Sequence, residues 1–229
     1  MKKQIIGVAL MLLTMSFVAC SDDDSEEKSK NGVENGFEYV DLGLSSGNKW
    51  ATCNVGAKNP QDSGDYFAWG EIAPKSYYSW STYKWSDEYG KEMTKYNKPT
   101  DNQFELADDA ARQIMGGKWF TPTKDDWNEL MDNCTWTWTE IGGVKGYVVK
   151  SNSNQNSIFI PTAGQKIDDK FYYDKNDPYA DYWSSSLFTN GVDKDKAFHL
   201  YFGIGIGVNS VYVSDKDRCY GFPIRAVFR

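Results

Sequence analysis

The chain has 229 residues, a formal net charge of −7, and 40% hydrophobic, 25% charged and 16% aromatic residues. So acidic an exterior excludes a nucleic-acid binder that works by neutralising phosphates, and excludes charge-driven docking on anionic lipid. Nine Trp, fifteen Tyr and twelve Phe must supply most of the core, because burying large rings is how a chain with few leucines offsets its ordering entropy.

The first predicted element is a leader over residues 1–19. Lys2 and Lys3 open it, an apolar stretch from Ile5 to Leu13 follows, and Val18-Ala19 places small residues before Cys20. These are the parts of a secretory signal, and the apolar stretch falls short of the roughly 20 residues that a bilayer span needs. The junction resembles the lipobox of bacterial lipoproteins, which implies that Cys20 carries a diacylglycerol and becomes the mature N-terminus. Each buried methylene of such chains contributes about 0.8 kcal/mol to membrane attachment. Ser21, Asp22, Asp23 and Asp24, with Ser25-Glu26-Glu27 after them, resemble the acidic export tag of Bacteroidetes surface lipoproteins. That resemblance implies an outer-membrane lipid anchor with the protein facing the cell exterior. Residues 20–36 are almost wholly polar and read as a flexible tether. Loss of Lys2 and Lys3 with the leader takes the charge from −7 to −9.

Residues 37–229 have the length of one domain. Glu38–Leu42 and Lys49–Cys53 alternate like an opening pair of strands, with Ser45-Ser46-Gly47-Asn48 as their turn. Residues 74–99, which include Tyr77-Tyr78-Ser79-Trp80 and Tyr83-Lys84-Trp85, show no period and predict a long ordered loop pinned by its rings. Between Glu105 and Met115, Leu106, Ala110 and Ile114 recur at helical spacing before a Gly116-Gly117 stop. A second helix begins after Thr123, where Asp126 completes a capping box and Trp127, Leu130 and Met131 form one face.

The second half reads as sheet. Thr135–Thr139 places Trp136 and Trp138 on one face, and Gly142-Gly143 turns the chain into Gly146–Val149. Ser157–Pro161, Tyr182–Ser186, Phe198–Phe202, Val208–Val213 and Phe222–Phe228 are the remaining strands. No repeat at a period of 20–50 residues is visible. Two modest helices ahead of a run of short strands predict an α+β domain.

Chemistry-bearing residues are sparse. With Cys20 lipidated, Cys53, Cys134 and Cys219 remain; an odd number leaves at least one thiol free, and a Cys53–Cys134 bridge is the pairing we expect. The single histidine, His199, sits on a strand face opposite Phe198, Leu200 and Phe202, a position that favours a structural role over a zinc site or a Ser-His-Asp arrangement. Asp174, Asp177 and Asp181 cluster oxygens, but Ca²⁺ needs 6–8 well-placed ligands, and acidic turns are commoner. No catalytic residue, metal site or cofactor is therefore expected.

The segment Tyr39-Val40-Asp41-Leu42-Gly43-Leu44-Ser45-Ser46-Gly47-Asn48-Lys49-Trp50-Ala51-Thr52-Cys53-Asn54-Val55-Gly56-Ala57 resembles the entry motif of the Fibrobacter succinogenes major paralogous domain. Gly64–Glu71, Gly117–Thr123, Asn133–Trp136, Tyr182–Ser186 and the closing Gly221-Phe222-Pro223-Ile224-Arg225-Ala226-Val227 follow in that family's order. The resemblance spans residues 38–229. It implies a C-type-lectin-like fold, shared with formylglycine-generating enzymes, with short antiparallel strands, two modest helices and long ordered loops. It also implies first and last strands that pair, a Trp-x-x-Pro-Thr segment opening a helix, and a loop surface that faces away from the termini.

Three functions follow as expectations. The first is a non-enzymatic binding or adhesion module for glycan or host and matrix ligands, using Tyr77, Trp80, Tyr83 and Trp85, since exposed rings stack on sugar faces. The bland reading of the same four rings is that they fill the core. The second is an oxidase of the formylglycine-generating type, which would need two nearby cysteines late in the chain where only Cys219 stands. The third is a passive structural component of the envelope.

Overall fold

The computed structural model describes residues 31–98, 100–189, 194–205 and 208–229. Cys20, the Ser21–Asp24 tag and the leader over 1–19 lie outside the described residues. In chain order the elements are β1 (Gly32–Glu34), β2 (Phe37–Asp41), β3 (Lys49–Ala51), α1 (Ala110–Met115), α2 (Lys124–Asn133), β4 (Cys134–Ile141), β5 (Val144–Ser151) and β6 (Ser157–Pro161). There follow β7 (Gln165–Ile167), β8 (Lys170–Tyr172), β9 (Tyr179–Leu187), β10 (Lys196–Gly205), β11 (Val208–Asp217) and β12 (Val227–Phe228). All these strands pair antiparallel, in four small sheets ordered β1-β2-β3-β12, β4-β5-β6, β7-β8 and β11-β10-β9. The architecture is strand-dominated with two helices, at the border of α+β and mainly β.

Local chemistry accounts for the elements that sequence predicted well. Thr123 Oγ1 accepts from Asp126 N at 3.1 Å while Asp126 Oδ2 accepts from Thr123 N at 2.8 Å, so two of the amides at the start of α2 that lack helical partners are satisfied. Trp127 and Leu130 are then buried on its inner face. In the β4–β5 hairpin, Trp136 sits opposite Val149 and Trp138 opposite Tyr147. Both indoles pack edge-on against the Tyr147 ring, at 5.5 and 5.0 Å.

Two expectations are corrected. The tether ends before residue 36, because β1 pairs with β2 in the register Gly32↔Tyr39 to Glu34↔Phe37. The first helix is shorter and rotated: Leu106–Asp108 is a single 3₁₀ turn, and Asp109, with extended φ/ψ, restarts the chain as the N-cap of α1. That reset buries Ala110, Ala111 and Met115 and leaves Leu106 and Ile114 exposed.

The core has two large clusters. One joins α2, β4–β6 and the inner face of β9–β10 through Trp50, Trp127, Tyr147, Ile160, Tyr182 and Phe202. The other packs α1 and the closing segment around Phe67, Trp69, Trp119, Trp183 and Phe222. The last strand joins the opening sheet through β3, with Trp50↔Val227, while β1 lies at the far edge. Ahead of β12, Arg225 is fully buried without a carboxylate. Its Nε donates to Asn54 Oδ1 at 2.8 Å and its Nη1 to the carbonyls of Ala51, Thr52 and Phe159 at 3.0–3.3 Å. Desolvation lowers its pKa.

Cys53, Cys134 and Cys219 are free thiols, so the expected Cys53–Cys134 bridge is corrected. The thiols occupy separate environments. Cys53 is half-buried just after β3, Cys134 belongs to the first large cluster, and Cys219 belongs to a smaller one with Tyr66, Tyr78 and Tyr83. His199 does face away from Leu200 and Phe202, yet it is only 1% exposed. The central strand β10 is covered on both faces there, and His199 Nε2 lies 3.0 Å from Asp181 Oδ1.

Candidate functional site

The aromatic loop after Pro74 is held by its own polar groups. Tyr78 N donates to Asp168 O and its hydroxyl to Tyr66 O, and one 3₁₀ turn covers Trp80–Thr82. Tyr83 is buried; its hydroxyl donates to Trp69 O at 2.8 Å and accepts from Arg218 Nε at 3.1 Å. Trp85 gives its indole N–H to Gly70 O at 2.9 Å, and the Lys84 and Lys95 ammonium groups lie over its ring at 4.1 and 5.0 Å. The bonds that fix Tyr78, Tyr83 and Trp85 run to Asp168, Tyr66, Trp69, Arg218 and Gly70, at least a dozen positions away, which is why no local period appears.

The four candidate ligand residues therefore separate. Tyr83 is a core residue and Trp85 an anchor, so neither offers a free ring; this corrects half of the expected set. Tyr77 is 42% exposed, and the Asp168 carboxylate beside it raises its phenol. Trp80 is half-buried, and its indole N–H has no hydrogen-bond partner among the described residues. In that it differs from Trp69, Trp85, Trp119, Trp127, Trp136 and Trp183, whose N–H groups all reach a carbonyl.

Trp80 lines a cavity of about 410 Å³ together with Tyr89, Gly90, Lys91, Met93, Lys194 and Asp195. A small hairpin closed by the Ser86↔Met93 bridge carries Tyr89 at its tip, 67% exposed. Asp87 Oδ1 holds that tip by accepting from Lys91 N at 2.8 Å and Glu92 N at 3.2 Å. Desolvation is the largest single effect on the Asp87 carboxyl and raises its pKa, but the backbone N–H groups of the tip, from Tyr89 to Glu92, together outweigh it and hold the carboxyl below its ordinary pKa. Gly90 has φ of +72°, and a Cβ there would meet Trp80 Cδ2 at 2.4 Å. The indole thus rests directly on a backbone that only glycine leaves open.

The second wall, Lys194 and Asp195, comes from the residues just ahead of β10. Arg218 links both walls: its backbone N donates to Asp195 O at 2.9 Å, and its side chain reaches Tyr83 Oη, Tyr96 O at 3.0 Å and Lys95 O at 3.1 Å. The guanidinium is fully buried 5.0 Å from the Trp69 ring centroid. Sequence reasoning missed Tyr89, Lys91, Lys194 and Asp195. The available signal was Asp87-Glu88-Tyr89-Gly90, a turn with a tyrosine at its tip; nothing local tied it to Lys194.

A wider cleft of about 650 Å³ between Thr94 and Glu105 is lined almost wholly by polar side chains of one loop. Those groups already serve that loop: Lys98 N donates to Asp101, Asn97 to Met93 O, and Lys95 pairs with Glu105 and Asp108. The smaller cavity therefore has the better claim to a ligand, since it joins the exposed Tyr89 and half-buried Trp80 rings to donors that have no partner among the described residues. Among the described residues no group of three His, Cys, Asp or Glu is placed to hold a metal ion. Asp181 turns inward to His199, and Asp174 accepts from Asn176 N within its own turn. Burial pushes the Cys219 thiol far above its ordinary pKa. No family model matches the chain, and it has no significant match among curated proteins or solved structures.

Proposed function

We propose that the protein is a surface-exposed lipoprotein whose domain is a non-enzymatic binding or adhesion module, taking glycan or host ligands in the Trp80–Tyr89 cavity. On this reading it belongs with the Fibrobacter succinogenes major paralogous domain and its C-type-lectin-like fold. Cys20 anchors it in the outer membrane, and Ser21–Asp24 mark it for the exterior. One observation carries the proposal. Where Tyr78, Tyr83 and Trp85 are buried or bonded, Trp80 keeps an N–H with no partner among the described residues, beside the 67% exposed Tyr89 at a concave site. Rings held rigidly at a surface give contact area at low entropic cost, and an indole N–H adds a directional donor. The oxidase alternative finds less support, because the Cys219 thiol is buried, its pKa is raised by that burial, and no second cysteine of the described residues pairs with it.

The test is a glycan and matrix-protein binding screen with the full-length lipoprotein in detergent, run with and without chelator. At least one ligand binds, and Trp80→Ala weakens it about tenfold or more, as truncating an aromatic anchor does, while the variant stays folded at the assay temperature. A screen without hits would leave the passive envelope component as the better account.

A further inference from the structure

We infer that the ligand of the Trp80–Tyr89 cavity is an acidic saccharide, with the sugar ring against Trp80 and Tyr89 and its carboxylate or sulfate against Lys91 and Lys194. This inference rests on the binding reading above and adds the charge of the ligand to it.

The lysines of this loop differ in whether a carboxylate meets them. Along the same loop, Lys75 pairs with Glu71 at 2.9 Å, Lys95 with Asp108 at 2.5 Å, and Lys84 lies 3.8 Å from Asp108. Lys91 has no carboxylate among the described residues; its ammonium stands 5.8 Å from the Tyr89 ring centroid, at the cavity. Lys194, exposed on the opposite wall, likewise has no ion pair among the described residues. Two unclaimed cations thus converge on the cavity with the free rings, on a protein of net charge −7. Asp195 is the one carboxylate in the lining, and it lies near Asp217, whose carboxyl is pushed up first by burial and then by the Asp195 charge.

A neutral sugar would use the rings and leave both ammonium groups idle. A purely anionic peptide would use the ammonium groups and leave the indole face and its N–H idle. A saccharide bearing an anion uses all of them: apolar C–H faces on the rings, hydroxyls at the indole N–H, and the anion between the lysines. Because the lysines are exposed, their contribution is screened by salt.

The experiment prints uronate, sialylated and sulfated oligosaccharides beside neutral counterparts (methyl ester, unsialylated and desulfated forms of the same length). The full-length lipoprotein is assayed as wild type, Lys91→Gln, Lys194→Gln, the double variant and Trp80→Ala. At least one acidic form binds about tenfold tighter than its neutral partner. Each lysine variant loses about two- to fivefold, the size of an exposed ion pair, and the preference fades as salt rises from about 0.05 to 0.5 M. Lysine variants sit on the surface and keep the wild-type melting temperature, so a loss is not an unfolding artefact. Equal binding of acidic and neutral forms, lost only in Trp80→Ala, would overturn the acidic assignment and leave the binding reading standing. Polyglutamate binding as tightly as the sugars, untouched by Trp80→Ala, would overturn the saccharide assignment. No Trp80-dependent binding to either form would overturn both.

Discussion

Arg218→Met tests whether one buried guanidinium holds the aromatic loop to the body of the domain. The side chain makes three hydrogen bonds, to Tyr83 Oη, Tyr96 O and Lys95 O, at 3.0–3.1 Å, and it stacks near Trp69 and Tyr83. Bonds from a charged donor contribute about 1.5–3 kcal/mol each. Against that gain stands a desolvation cost of several kcal/mol for burying the charge. Methionine removes both sides of this balance, yet strands the Tyr83 oxygen and two carbonyls, at about 1–3 kcal/mol for each group that stays buried. The net loss should be about 3–4 kcal/mol, which lowers the melting temperature by about 6–16 °C in a domain of this size. Thermal unfolding followed by circular dichroism measures it, and iodide quenching of Trp80 below the transition reads the loosened loop. Arg218→Lys should recover little, because an ammonium cannot reach three acceptors in the guanidinium's planar fork. A loss under about 1 kcal/mol, or about 3 °C, with unchanged quenching would refute the reasoning.

Gly90→Ala should cost about 2–3 kcal/mol, from the left-handed backbone and the displaced indole, and abolish ligand binding; an unchanged near-ultraviolet spectrum would contradict the Trp80–Gly90 contact. Native-state alkylation followed by mass spectrometry should label Cys53 first. Cys134, pushed up to about 11 by burial, and Cys219, pushed higher, should react only after unfolding. Asp109→Ala should cost about 2–3 kcal/mol, because Asp109 caps α1 and also accepts from Thr121 N at 2.9 Å and Thr121 Oγ1 at 2.7 Å. Burial holds the Asp109 carboxyl above its ordinary pKa. Folding therefore takes up a proton there, and stability falls as pH rises from the ordinary aspartate range through the raised value. Asp109→Asn should flatten that slope in a pH series of thermal melts.

Elements whose cause is local were legible in the sequence. Thr123 and Asp126 announce α2, and Trp136, Trp138 and Gly142-Gly143 announce the β4–β5 hairpin, because capping and strand alternation act within a few residues. β1 was hidden in a polar stretch, since edge pairing with β2 requires no apolar residue there. α1 was misplaced because Asp109 answers to Thr121, a partner that helical spacing cannot show. The candidate site was half legible for the same reason. Tyr83 and Trp80 look alike in sequence, yet Tyr83 is claimed by Arg218, 135 positions away, and Trp80 is not.

The placement of β12 beside β3, with Phe120↔Val227 on its other side, has a consequence for biogenesis. The opening sheet stays one strand short, and Arg225 stays out of its nest of carbonyls, until almost the whole domain has left the ribosome. A nascent chain interrupted before Phe222 therefore lacks both the strand that completes this sheet and the guanidinium that fills the nest.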